Sequence, residues 1–546
     1  MLTRVSWLIP AAILFSSHAA YGQQGCENLV NLKLPYTLIT AATSVPERAA
    51  PAPAAPGAPT AGPATVPAHC DVRGVIRPSR DSNIKFALWL PAASAWNAKY
   101  RQEGNGGWAG AINTASLAEP LRRGYAVAGT DNGHEGGGGA DWAIGHPEKL
   151  IDFGYRAVHE TAVQSKAIIR AFYGRDPERS YFNGCSDGGR EALMEAQRFP
   201  EDFNGILAGA PANNWSRLFT AFVWNERALL ATPASAIPPA KLPVIQRAVM
   251  AACDRLDGVA DGLIENPRAC KFDPSVLVCK GADAADCLPR AQVDALQKIY
   301  EGPRNPRTQE PLFVGQPPGT EAVPGSWGTW ITPANPASAI QFAFGNSYYG
   351  AAVFEDPKWN FRMLDFDRDV RIGDEKAGPV LNATSPDLRS FRASGGKLIQ
   401  YHGWADAAIP ASSSIEYYET VRAFLSTYPD ARTPGAPPAE DFYRLFLVPG
   451  MAHCGGGSGA NSFGNGGSAA ATRGDPERDI FTALERWVEQ GMAPARLVGS
   501  GRATDDSSKP LTRPLCPYPQ VAQYRGSGDV NDAANFACVA PSSRSR

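Results

Sequence analysis

Apolar and alternating runs at Ile84 to Leu90, Tyr100 to Glu103 and Tyr125 to Gly129 predict β-strands. Between Asp152 and Tyr173 the period lengthens, with Val158, Ala162, Ala167, Ile168 and Phe172 at helical spacing. Tyr181 to Gly184 predicts a short strand, Gly189 to Phe199 a helix closed by Pro200, and Gly205 to Ala208 a further strand. From about Asn213 to Thr384 this alternation stops in a stretch rich in Trp, Pro, Gly and Cys, and it resumes with strands at Lys397 to Tyr401 and Arg444 to Val448. The pattern predicts an α/β class fold carrying an insertion rather than two sequential domains. Its core is expected at 23–213 and 385–546, with the inserted domain at 214–384. Ala49 to Pro67, rich in Ala, Pro and Gly, reads as a polyproline-like surface excursion.

Composition narrows the chemistry. Lys and Arg total 52 against 54 Asp and Glu, a formal charge of -2. With no block of like charge, neither a nucleic-acid-binding face nor an acidic tail is expected, and the implied partner is a small molecule. Arg4, the apolar run Val5 to Phe15 and the small residues Ala19, Ala20 and Gly22 have the layout of a signal peptide, residues 1–22. That run is short of the roughly 20 residues of a membrane span. A secreted or periplasmic protein with no membrane segment is therefore expected.

Ten cysteines in an exported chain imply disulfides. Ten thiols allow about a thousand pairings. Short spacings suggest Cys253 with Cys270, Cys279 with Cys287, and Cys516 with Cys538, which leaves Cys26, Cys70, Cys185 and Cys454.

Two of those four flank the candidate chemistry. Gly184-Cys185-Ser186-Asp187-Gly188 is a G-x-S-x-G pentapeptide between an expected strand and an expected helix, the setting of a nucleophile elbow. An alcohol needs a base on its proton to attack. His453 follows the strand Arg444 to Val448, and Asp406, which would orient the imidazole, follows the strand Lys397 to Tyr401. Serine, aspartate, histidine is the chain order of α/β-hydrolases. A Cys185–Cys454 bond would hold Ser186 and His453 within reach of each other. Cys185 itself as nucleophile is disfavoured, since oxidising surroundings would consume it in that bond. Oxyanion donors are expected from the Asp187 N–H and from Gly107 or Gly106.

Asp254, Asp257 and Asp261 crowd three carboxylates into one short loop. A hard cation would relieve their repulsion, and Ca2+ suits them, with the carbonyls of Val259 and Leu263 completing an oxygen shell.

At the elbow, at Tyr401-His402-Gly403-Trp404-Ala405-Asp406, at Val448-Pro449-Gly450-Met451-Ala452-His453-Cys454, at the aspartate loop and at Pro514-Leu515-Cys516-Pro517-Tyr518-Pro519, the chain resembles the tannase and feruloyl esterase family, which includes mono(2-hydroxyethyl) terephthalate hydrolases. The resemblance implies an α/β-hydrolase core with an inserted lid domain, a Ser186/Asp406/His453 triad, a structural calcium in the lid and five disulfides, Cys26–Cys70 and Cys185–Cys454 among them. It also implies cleavage of aromatic esters: feruloyl, galloyl or terephthalate. Family members that act on terephthalate monoesters read the free carboxylate with a lid arginine, whereas Gly325 to Asn360 has Lys358 as its only cation. Trp327, Trp330, Phe342, Phe344, Tyr348 and Tyr349 are expected to form an aromatic wall for the substrate. The competing expectations are a catalytically silent binding protein on a hydrolase scaffold, and a peptidase or lipase on the same fold.

Overall fold

The computed structural model describes residues 25–49, 65–428, 439–465 and 472–540. The expected leader and residues 50–64 of the Ala/Pro tract lie outside the described residues.

Nine strands make the central sheet. They are β1 (Thr37–Val45), β2 (His69–Ile76), β3 (Ile84–Pro91), β4 (Lys99–Glu103), β5 (Ala126–Thr130), β6 (Arg179–Cys185), β7 (Gly205–Gly209), β8 (Lys397–Gly403) and β9 (Tyr443–Val448). Their spatial order is β1-β2-β3-β5-β4-β6-β7-β8-β9. β1, β2, β3 and β5 pair antiparallel. From β5 across to β9 all pairs are parallel. Parallel strands have both faces covered, and β5 and β7 are accordingly buried at every position.

The longer helices are α1 (Ala157–Tyr173), α2 (Asp187–Arg198), α3 (Trp215–Leu229), α4 (Leu242–Cys253), α5 (Arg290–Glu301), α6 (Ile340–Ser347), α7 (Ser412–Thr427) and α8 (Ile480–Gln490). Successive strand residues point to opposite faces. Phe182, Ile206 and Leu398 pack with Ile168 of α1, Leu193 of α2 and Ile415 of α7. Their neighbours Tyr181, Leu207 and Ile399 pack on the other face with Phe481, Leu484 and Trp487 of α8. The sheet is thus a two-sided wall, and the loops at the C-terminal ends of β6, β8 and β9 emerge at one edge of it.

Between β7 and β8 the described chain is helical, with α3 to α6, a further helix at Arg368–Lys376 and shorter turns. It buries an apolar cluster of its own around Ile245, Val249, Leu296, Ile299 and Trp327. A second cluster, with Phe219, Phe222 and Tyr348, extends to Trp108 and Phe153 of the sheet-bearing part. Among the described residues no single helix is long and apolar enough to cross a bilayer.

The expected strands fall where the runs placed them, and Asp152 to Tyr173 is helical with a π-turn at Asp152–Arg156 before α1. The Ala49 to Pro67 reading needs a correction at its edges. Arg48–Ala49 pairs with Thr65–Val66, and Val66 is buried beside Trp89 and Leu117, because an apolar side chain at the end of the tract reaches a gap over the sheet.

All five disulfides form as expected: Cys26–Cys70, Cys185–Cys454, Cys253–Cys270, Cys279–Cys287 and Cys516–Cys538.

Candidate active site

β6 runs directly into α2 through Ser186, whose φ of 67° and ψ of -120° lie outside the regions L-residues ordinarily occupy. Such a turn lifts the side chain off the sheet, and it is held from below by Ser186 N–H donating to Gly209 C=O at 3.0 Å. The turn is so tight that a Cβ on Gly184 would lie 2.3 Å from the Gly188 carbonyl oxygen.

The Cys185–Cys454 bond spans 269 residues of sequence and brings the two Cα atoms to 5.9 Å. It ties the residue before Ser186 to the residue after His453. His453 Nδ1 lies 2.7 Å from Asp406 Oδ2, which leaves Nε2 for a partner on the other side of the ring. Asp406 is fully buried, and its Oδ1 accepts N–H bonds from Ala408 at 2.8 Å and Ile409 at 2.9 Å. Burial opposes its charge, but the charge of His453 and hydrogen bonds from His402 and His453 outweigh that and hold the carboxyl well below the usual range.

His402 carries no chemical signal of its own in the sequence beyond its place in the Tyr401-to-Asp406 motif. It is fully buried, with Nε2 at 3.2 Å from Asp406 Oδ2 and 2.8 Å from the Ile409 carbonyl. Its Nδ1 meets Ser414 Oγ at 2.7 Å, and Ser414 in turn accepts from Gln400. A neutral ring donating from Nε2 and accepting at Nδ1 satisfies every one of these partners. That place, a polar residue inside an apolar strand four positions before a candidate acid, was the available signal. His402→Ala is expected to lower stability by about 1.5–3 kcal/mol, the scale for hydrogen bonds to a charged group, as read from denaturant unfolding.

The Gly104-to-Gly107 loop after β4 lies against the elbow, with Gly188 N–H donating to Asn105 C=O at 2.8 Å. Asp187 is the first residue of α2, so its N–H belongs to the unpaired donors of a helix N-terminus. A Cβ on Gly107 would reach Phe344 at 3.0 Å, while one on Gly106 would meet nothing within 4 Å. The Asp187 side chain is buried and accepts from Arg190 Nε at 2.6 Å. Arg190 also donates to the Gly154 and Phe153 carbonyls, a buried clamp with no sequence signal beyond its place in the motif.

The aromatic wall requires a correction. Trp330 lies 5.0 Å, centroid to centroid, from the His453 ring, and Phe344 abuts Gly107. Both are half-buried. Trp327, Phe342, Tyr348 and Tyr349 are instead fully buried in helix-packing clusters, with Tyr349 hydrogen-bonded to Thr220. These four side chains fill packed cores, so a count of aromatics overstates the wall.

In the aspartate loop each carboxylate accepts a nearby backbone N–H: Asp254 from Gly262, Asp257 from Val259 and Asp261 from Leu263, at 3.0 to 3.1 Å. Asp261 also pairs with Arg513, and Glu265 accepts from Ala522 N–H at 2.9 Å, so the C-terminal strands close over the loop. Four acids, Asp254, Asp257, Asp261 and Glu265, face two cations here, Arg255 and Arg513. Burial pushes Asp257 up to about 6. The donor set is oxygen-only and carries excess negative charge, the chemistry a hard dication takes, although the three Asp carboxylates do not all lie within 4.8 Å of one another. Among the described residues, the acidic and histidine ligand atoms that converge within 4.8 Å are those of His159, Glu195 and Asp202, where Lys166 already supplies a cation.

A mixed sheet of this order, with a strained serine at a strand-to-helix turn and a buried carboxylate–imidazole pair at neighbouring strand ends, defines an α/β-hydrolase fold. Residues 70–539 match the tannase and feruloyl esterase family, and the chain belongs to it. It is 43% identical over 540 residues to an uncharacterized esterase of Xanthomonas campestris pv. campestris, covering 95% of this chain and 92% of that one. A mono(2-hydroxyethyl) terephthalate hydrolase of Piscinibacter sakaiensis is 36% identical, covering 92% and 89%. The crystal structure of feruloyl esterase B from Aspergillus oryzae superposes with a TM-score of 0.81 at 28% identity, covering 94% of this chain and 99% of that one. The protein is a carboxylic ester hydrolase that acts on small-molecule esters.

Proposed function

We propose that the protein is an exported serine esterase that cleaves aromatic esters through an acyl-enzyme. Ser186 Oγ attacks the ester carbonyl while His453 Nε2 takes its proton. The alkoxide leaves with that proton, and water, activated by the same imidazole, releases the acid. Asp406 holds the imidazole and offsets its charge, and the N–H groups of Asp187 and Gly107, or Gly106, receive the oxyanion. Residues 214–384 are the lid, through which Trp330 and Phe344 border the acyl group. The observation that carries this reading is the Cys185–Cys454 bond, with a strained Ser186 on one side and the Asp406-paired His453 on the other. Five disulfides support an extracytoplasmic location, secreted or periplasmic.

Calcium at Asp254, Asp257 and Asp261, with the Val259 and Leu263 carbonyls, would neutralise the loop and fasten the lid to the C-terminal strands. Its role is structural. Dialysis against a chelator is expected to lower the unfolding free energy by about 2.7 kcal/mol relative to protein in calcium at a hundred times its Kd. Calcium should restore it and magnesium should not, and an unchanged melting curve would refute the assignment.

Among acyl groups, neutral phenolic acids are favoured over terephthalate monoesters, since residues 325–360 offer only Lys358 as a cation. The relative named for terephthalate keeps that alternative in the test. On a panel of methyl ferulate, methyl gallate and mono(2-hydroxyethyl) terephthalate, kcat/KM for a phenolic ester should exceed that for the terephthalate by at least about tenfold, or ~1.4 kcal/mol. The reverse order would overturn the preference, and no turnover of any of the three would favour a silent binding scaffold.

A further inference from the structure

α2 carries a second buried acid that the triad does not use. Glu191 is 2% exposed, and its two oxygens accept from two different loops. Oε2 takes Asn105 N–H at 3.0 Å, and Oε1 takes Asn132 Nδ2 at 2.7 Å. Asn105 is further held by its side chain, which donates to the Thr130 carbonyl at 2.8 Å. The fit is close, because a Cβ on Gly104 would lie 2.7 Å from Glu191 Oε2. The loop that presents Gly106 and Gly107 to the elbow is therefore braced at its root by one carboxyl group.

The charge count at this brace does not close with both acids ionised. Asp187 and Glu191 face each other on α2, and the cation beside them is Arg190. Arg190 is fully committed to Asp187 Oδ1 and to the Gly154 and Phe153 carbonyls. Asp187 Oδ2 is buried and receives no donor from those groups. A proton on Glu191 supplies that donor and removes a repulsive pair. Glu195, the next acid along α2, adds repulsion, and the partners from the facing loops, Asn105 and Asn132, are neutral.

We propose that Glu191, neutral through a proton directed at Asp187, positions the Gly104-to-Gly107 loop for oxyanion binding, and that losing this proton shuts down acyl transfer on the alkaline side. Ionisation would place a second negative charge beside the site where the tetrahedral oxyanion must form, and would repel Asp187 away from its clamp. Burial, and then the Asp187 charge, push the Glu191 carboxyl up to about 8, which sets the pH range to examine. The inference rests on Ser186 as nucleophile, so the test separates the two.

Steady-state kinetics across pH 6 to 10 on wild type, Glu191→Gln and Glu191→Ala give the answer. Wild-type kcat should fall about tenfold per pH unit above the Glu191 transition. Glu191→Gln stays neutral: its oxygen can still accept Asn105 N–H, and its NH2 can donate to Asn132 once that amide turns its unpaired Oδ1 inward, so it should flatten that limb and restore most of the neutral-pH kcat lost in Glu191→Ala. Glu191→Ala should lose on the order of 100-fold in kcat, the scale of one oxyanion donor, with KM little changed. An alkaline limb in Glu191→Gln identical to wild type overturns the proposal, as does a Glu191→Ala enzyme with wild-type kcat. Fluorophosphonate labelling of Ser186 at pH 7 in the Gln variant reports on the nucleophile separately. Labelling with an unaltered limb sinks only this inference, whereas absent labelling in wild type sinks the esterase mechanism beneath it.

Discussion

Ser186→Ala is expected to remove ester turnover by on the order of a million-fold in kcat, the scale seen when the nucleophile of a serine hydrolase is deleted. The substitution removes one oxygen and leaves the elbow intact, because the strained backbone at φ 67° is held by hydrogen bonds that do not involve the side chain. The melting temperature should therefore stay level or rise, since relief of a functional constraint tends to stabilise. KM for a phenolic ester should change little, because the aromatic side chains beside the site, Trp330 and Phe344, are untouched. A variant that keeps more than about a hundredth of wild-type kcat would put the nucleophile elsewhere.

The second large effect comes from the bond beside it. Cys185→Ser, Cys454→Ser and the double variant all open a 269-residue covalent loop. In the chain-entropy account that costs about 5 kcal/mol of stability. Activity should fall further than stability alone predicts. His453 then keeps Asp406 but loses its tether to the elbow, and a misplacement of about 1 Å between reacting groups costs on the order of 100-fold. Since one bond carries both effects, the double variant should be no worse than either single one in unfolding free energy and in kcat. Additive losses would mean that the two sulfurs act separately.

How much of this could be read from sequence depends on which signals are local. The parallel strands were legible as short apolar runs: Gly205 to Ala208 because the strand is buried on both faces, and Leu445 to Val448 because most of its side chains still pack inward at the sheet edge. β1 was not, for it is an edge strand with one fully buried position among nine and thus shows no clear alternation. The elbow, Asp406 and His453 were legible because each stands at the end of an expected strand. Glu191, His402 and Arg190 were not, because their meaning comes from partners brought in by tertiary folding. Asn105, Asn132, Ser414 and Gly154 are scattered over about three hundred residues, and no spacing rule links them. The aromatic segment failed for a related reason. Trp327, Phe342 and Tyr348 stand out by residue type alone, which does not say whether they line a cavity or fill a core.

A sulfur–sulfur bond brings Ser186 and His453 together as one reacting pair. Peptide mapping of a fluorophosphonate adduct, with labelling rates compared between wild type and Cys185→Ser/Cys454→Ser, tests it most directly. The adduct is expected on Ser186 alone, forming on the order of 100-fold more slowly once the bond is removed. An adduct on another residue, or equal rates with and without the bond, would contradict it.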